Sequence, residues 1–150
     1  MKIFLGADHR GFKLKEKIKG WLKNWGVSFE DMGNTKYEPE DDFPDFAERV
    51  GEKVVEDGGL GILLCGSGGM ALAANKIKGV RAVEAWGPEW AEHARQHDSA
   101  NVLALPADAL NEESAKKTVK AFLEAKEGRV EEKYQRRLDK IRKIEDKYFI

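Results

Sequence analysis

The stretch GILLCGSGGMALAANK, residues 61–76, decides the fold. Together with Leu60 it opens on a short apolar run, bounded upstream by Gly58-Gly59 and downstream by Gly66-Ser67-Gly68-Gly69. An apolar run of that length between glycines reads as a buried strand, and the alanine-rich segment after it, to about Lys78, reads as a helix. Strand, tight turn, helix is the repeating unit of a parallel sheet. The same unit recurs outward in both directions. Upstream, KIFLG (residues 2–6) reads as a strand and is followed by Leu14, Ile18, Trp21, Leu22 and Trp25 at helical spacing. Gly26 stops that helix and residues 27–31 form the next strand. A polar loop covers residues 33–43, and Pro44 suits the first turn of a helix ending near Asp57. Downstream, residues 80–85 and 101–105 read as strands, Pro88 opens a helix ending near His97, and Asn111 caps another. Strands alternating with helices, joined by right-handed crossovers, give an α/β fold. The expectation is a three-layer, doubly wound, Rossmann-like sandwich on a five-stranded parallel sheet, with a C-terminal helical arm.

The arm is residues 129–150. Val130, Tyr134, Leu138, Ile141 and Ile144 recur at three- and four-residue steps, and Lys133, Arg136, Arg137, Lys140, Arg142 and Lys143 occupy the other faces. It can pack on its own sheet with a solvated basic face, or cross to a second subunit and bring cations to that subunit's site. Nucleic-acid binding ranks below both, because the 26 basic residues are balanced by 27 acidic ones, for a net charge of −1. That balance also gives no pull towards an anionic membrane. The single cysteine excludes an intrachain disulfide and fits a reducing cytosol. The opening apolar run is too short for a signal peptide, and no segment approaches the roughly 20 apolar residues that span a bilayer. Residues 1–150 are therefore expected to form one cytoplasmic domain.

In doubly wound sheets ligands bind beyond the carboxyl ends of the strands. That rule selects Asp8 and His9 after the first strand, and Cys65 and the glycine loop after the third. Glycines let the backbone approach a ligand closely, and the helix start offers unpaired N–H donors for an anion or an enediolate oxygen. Such donors also favour a thiolate, which makes Cys65 a candidate base or nucleophile. His97 ends its helix in Arg95-Gln96-His97-Asp98 and is expected beside the same edge. Two rival patterns are present. Gly66-x-Gly68-x-x-Ala71 after a strand, with Glu84 downstream, fits a dinucleotide fingerprint, but leaves no room for a substrate domain and gives a thiol no purpose. His93 and His97, four apart on one helix, suit a zinc pair with Cys65, though the usual partner carboxylate is missing.

Five segments together resemble the type B ribose-5-phosphate isomerases and the related galactose-6-phosphate isomerase subunits. They are GADHRGFKLKE (residues 6–16), DFPDFA (42–47), GILLCGSGGMALAANK (61–76), GVRA (79–82) and RQHDSANVLAL (95–105). The resemblance implies aldose–ketose isomerisation of a small sugar phosphate through a cis-enediolate, with no metal and no organic cofactor. It implies that Cys65 shuttles a proton between C1 and C2, that Ser67 supplies a hydroxyl, and that the backbone of Gly66, Gly68, Gly69 and Met70 holds the enediolate oxygens. His97 would open the sugar ring, and Asp8, His9 and Asp98 would bind substrate. It also implies a homodimer or homotetramer with sites between subunits.

Two departures bear on the substrate. The family usually has Asn where this chain has Asp98, and a phosphate-binding Arg where it has Asp108. An acid about 6 Å from a phosphate repels each of its charges by roughly 3 kcal/mol at an effective dielectric of about 20. The C-terminal basic motif is best matched by Lys133 and Arg137, and a shifted alignment would use Arg129 and Lys133. The expected pair is ribose 5-phosphate and ribulose 5-phosphate. Another sugar phosphate, an unphosphorylated aldose, and a non-catalytic nucleotide-binding or inactive-partner module stand as alternatives.

Overall fold

A computed structural model describes residues 1–126 and 131–149. In chain order the elements are β1 (Ile3–Ala7), α1 (Phe12–Asn24), β2 (Phe29–Asp31), α2 (Phe43–Asp57), β3 (Leu60–Cys65) and α3 (Gly69–Ala74), then β4 (Ala82–Glu84), α4 (Pro88–Asp98), β5 (Val102–Pro106), α5 (Glu112–Glu124) and α6 (Glu132–Tyr148). All strand pairs are parallel, in the order β2-β1-β3-β5-β4. Right-handed crossovers in that order put α1, α4 and α5 on one face and α2 and α3 on the other. Two apolar clusters follow from this. One joins Leu5, Ile62 and Leu103 to Ile18, Leu22 and Phe122, and the other joins Phe4, Leu63 and Cys65 to Phe46, Val50 and Met70. The central strands β1, β3 and β5 are buried along their whole length, so their near-continuous apolar composition has a physical cause.

The edge strands β2 and β4 have three residues each, fewer than the strands expected over 27–31 and 80–85, because only those three residues of each pair with a neighbour, β1 or β5. Helix α3 stops at Ala74 rather than near Lys78. The Asn75 side chain ends it by accepting from Ala82 N–H at 2.8 Å and donating to Ala82 C=O at 2.9 Å, which fastens the end of α3 to β4. Asn111 caps α5 as its position suggests, accepting from Ser114 N–H at 2.8 Å. Among the described residues one cation, Lys15, is buried in full. Lys15 of α1 reaches Asp31 of β2 at 2.6 Å, and Lys19 reaches the same carboxylate at 2.9 Å. Burial pushes the Asp31 carboxyl up, but the hydrogen bonds from Lys15, Lys19 and the Gly33 N–H outweigh it and hold Asp31 below the usual carboxylate range.

None of the described residues of α6 is buried, and Ile141 and Ile144 stay exposed although they lie on its apolar stripe. The helix is tied to its own chain at isolated points. Glu145 accepts from Gly79 N–H at 2.7 Å, Lys78 pairs with Asp146 at 3.0 Å, and Tyr134 stacks on His97. Arg129 and Val130, assigned to the arm from sequence, lie outside the described residues. No helix among the described residues is long and apolar enough to cross a membrane.

Candidate active site

The chain leaves β1 for β2 on one side and β3 on the other, so the sheet's strand order reverses between β1 and β3. Beyond the carboxyl ends of these two strands stand the first group of expected site residues. Cys65 ends β3, is 4% exposed, and has its sulfur 3.0 Å from the Ser67 carbonyl oxygen, which accepts from the thiol. Ser67 and Gly68 are exposed, so the backbone of the loop is open to a ligand. Met70 is fully buried, which leaves only its backbone to serve a substrate.

Beside the loop, Asp8 accepts from the backbone N–H groups of Arg10 and Gly11 at 3.0 and 3.1 Å, which closes the turn into α1. Burial is the largest influence on its carboxyl and leaves it above the usual range, despite those two bonds. His9 is oriented by Asp41, a residue the sequence reading did not single out. Asp41 Oδ1 accepts from His9 N–H at 2.9 Å and lies 2.8 Å from Nδ1, and its other oxygen accepts from Asn34 Nδ2 at 3.2 Å. A carboxylate only accepts, so Nδ1 carries the proton in this contact and Nε2 remains for a ligand. Burial pushes the Asp41 carboxyl up, but the bonds from His9 and Asn34 prevail and hold it below the usual range. The stability this gives is fully present above the unfolded carboxylate pKa of about 4 and is lost as pH falls through the lower folded value. Asp41→Asn should therefore be less stable than the parent at pH 7 in urea titrations, and the gap should narrow as pH falls below the ordinary carboxylate range. Asp8, His9 and Asp41 also have ligand atoms within 4.8 Å of one another, a spacing that could hold a cation.

Two of the loop glycines have side chains of other elements lying directly on them. A methyl group on Gly66 would lie 2.6 Å from Arg10 Nε and 2.8 Å from Asp108 Oδ2, because these side chains form an ion pair across the loop. A methyl group on Gly69 would lie 2.6 Å from the Phe43 ring. Close packing thus accounts for part of the glycine pattern that sequence attributes to a ligand. Glu84, at the end of β4, turns its side chain towards Gly68, with one carboxylate oxygen accepting from Trp86 Nε1 at 3.2 Å.

The second group of expected residues stands elsewhere. Helix α4 begins at Pro88, on the carboxyl side of β4, and its 11 residues run back about 16 Å. The segment after it feeds β5, with Arg81 Nε donating to Ser99 C=O and Asn101 N–H donating to Arg81 C=O just before β4 begins. His97 and Asp98 therefore lie at the amino-terminal edge of the sheet, opposite Cys65. This corrects the expectation that His97 ends beside the active edge of its own chain. His97 stacks on Tyr134 with ring centres 4.4 Å apart and planes 11° apart, so the start of α6 lies at that edge too. Lys133 and Arg137 flank the Tyr134 ring at 5.0 and 5.9 Å. The ring of His93 is 4.8 Å from that of His97, but a zinc site shared with Cys65 cannot form within one chain. The chain thus carries two separate groups, a thiol, acid and glycine-loop group at one edge of the sheet and an imidazole and cation group at the other.

A family model described as Ribose/Galactose Isomerase matches residues 3–141. The chain belongs to this isomerase family. Among the family's members, a probable ribose-5-phosphate isomerase B of Mycoplasma genitalium is 43% identical over 147 residues, 95% of each chain. Ribose-5-phosphate isomerase B of Escherichia coli K12 is 40% identical over 151 residues, 97% of each. Among solved structures, ribose-5-phosphate isomerase B of Clostridium thermocellum superposes with a TM-score of 0.93 at 37% identity, over 99% of both chains. The Mycoplasma genitalium enzyme with bound ribulose 5-phosphate superposes at 0.91 and 40% identity, over 97% of this chain and 96% of that one.

Proposed function

We propose that this chain interconverts ribose 5-phosphate and ribulose 5-phosphate through a cis-enediolate, using its own side chains and no cofactor. The observation that carries the reading is the placement of Cys65 at the open end of β3, between an exposed glycine loop and the Asp8–His9–Asp41 group, in a chain of this family. Cys65, as thiolate, removes the proton from C2 and returns it to C1. Backbone N–H groups of Gly66 to Met70 face the oxygens where the enediolate charge develops, and the Ser67 hydroxyl donates beside them. Asp8 and His9 hold sugar hydroxyls, His9 through the Nε2 that Asp41 leaves free.

His97, the acid that opens the ring, comes in this reading from a second copy of the chain, together with Asp98, Lys133 and Arg137. The opposite-edge placement of the two groups supports this, and so does the exposed apolar stripe of α6. A twofold axis that brings one edge against the other completes two sites at once. The working unit is then a homodimer, or a homotetramer built from such pairs, acting in the cytoplasm. Residues 1–150 act as one isomerase unit, with residues 129–150 as an arm at the subunit interface.

The test is a panel of four-, five- and six-carbon aldoses, each with and without a phosphate, assayed for ketose formation. The highest kcat/KM is expected for ribose 5-phosphate. A higher value for another aldose would keep the chemistry and move the substrate. No turnover of any sugar, with NAD or ATP bound at millimolar concentration, would replace the isomerase by a nucleotide-binding module.

A further inference from the structure

Asp108 poses an electrostatic problem at the mouth of the site, and the structure contains an answer to it. Asp8, Asp41, Glu84 and Asp108 all border the Cys65 loop or the His9 group beside it, so this edge is rich in acids. A doubly charged sugar phosphate entering it needs a cation. The cation found against the loop is Arg10. Its guanidinium pairs with Asp108 across the Gly66 backbone, and that contact neutralises the acid. Among the described residues Asp108 is its only hydrogen-bond acceptor, and the side chain is 56% exposed. An arginine carries five N–H donors in a rigid fork, so a guanidinium held at one side by a carboxylate still presents donors to an oxyanion. The absence of a side chain at Gly66 lets the pair lie flat on the loop, next to the residue after Cys65.

We propose that Arg10 receives the anionic end of the substrate and that Asp108 positions it there, the Arg10–Asp108 pair acting as the specificity element of this edge. The inference rests on the sugar-phosphate reading above. It assigns the two residues distinct roles, a substrate-binding cation and a positioning acid that acts through it.

The experiment compares ribose 5-phosphate with unphosphorylated ribose in the parent protein, Arg10→Gln, Asp108→Asn and the double variant. The ratio of kcat/KM between the two sugars should fall at least tenfold in Arg10→Gln, mainly through KM for the phosphorylated sugar. Asp108→Asn should lower the same ratio by a smaller factor. The double variant should be no worse than Arg10→Gln, because Asp108 has nothing left to position. Both side chains are half exposed, so the melting temperature should stay within a few degrees of the parent. Inorganic phosphate is the second probe, with its binding measured by calorimetry on the parent and on Arg10→Gln. Weaker phosphate binding in the variant supports the anion site even if ribose 5-phosphate proves not to be the substrate, which separates this inference from the functional one. An unchanged sugar ratio with unchanged phosphate affinity in Arg10→Gln overturns it. So would a double variant markedly worse than Arg10→Gln, since Asp108 would then act on its own.

Discussion

Cys65→Ala should lose about 10²- to 10⁴-fold in kcat for ribose 5-phosphate, the range expected when a positioned acid–base group is removed. KM should move little, because the thiol acts on the proton at C2 rather than on the groups that hold the sugar. The fold should survive. Cys65 is 4% exposed within an apolar cluster that includes Leu63 and Met70, and removing one sulfur from such a place costs about 1 kcal/mol. Cys65→Ser separates two roles. A hydroxyl can donate to the Ser67 carbonyl as the thiol does, yet it is a far weaker base at neutral pH. If Cys65 only braced the loop, the serine variant would recover activity. If it is the base, serine should be nearly as impaired as alanine. Proton exchange gives an independent reading. The parent should wash deuterium from heavy water into the product carbon, and both variants should lose that exchange along with turnover. An alanine variant with parental kcat would end the mechanism.

Much of this structure is legible in the sequence, and what escapes it has particular causes. The strands β1, β3 and β5 are fully buried, so short, near-continuous apolar runs report them. The ends of α3 and β4 escape because the Asn75 side chain takes the backbone groups of Ala82, a bond between residues seven positions apart that no periodicity contains. In the site, Cys65, Asp8 and His9 are legible because a position at the end of a strand is enough to place them. Asp41 is not, and neither is the pairing of Asp108 with Arg10, since the partners lie 32 and 98 residues apart and meet only once β1, β3 and β5 are side by side. His97 shows a different limit. The end of its helix is predicted within a residue, but the edge of the sheet it reaches depends on direction. A helix that starts at the carboxyl edge and runs about 16 Å ends at the other edge, since a five-residue strand spans about the same length. Strand and helix lengths taken together put His97 opposite Cys65.

Mixing two dead variants should restore activity. Cys65→Ala and His97→Ala should each be severely impaired alone, since each damages every site. When the two chains are refolded together, random pairing makes about half the dimers hybrids, and a twofold-symmetric hybrid has one site with both lesions and one with neither. The mixture should then regain about one quarter of parental activity. The prediction depends on topology rather than on any one contact. Cys65 ends β3 at the carboxyl edge, while His97 ends α4 at the amino-terminal edge, stacked on Tyr134 at the start of α6. One chain cannot bring the two together without breaking the sheet between them. If instead each protomer used its own His97, every site in a hybrid would carry one lesion and mixing would restore nothing. Recovery should follow subunit exchange, appearing on co-refolding and staying absent when the folded variants are mixed and assayed at once. A His97→Ala, Cys65→Ala double variant refolded with the parent gives the control. Its hybrids lose both sites, because each site then draws one altered residue from the double-variant chain. Activity from an equal mixture should fall to about one quarter of what the same total chain of parent would give, instead of one half.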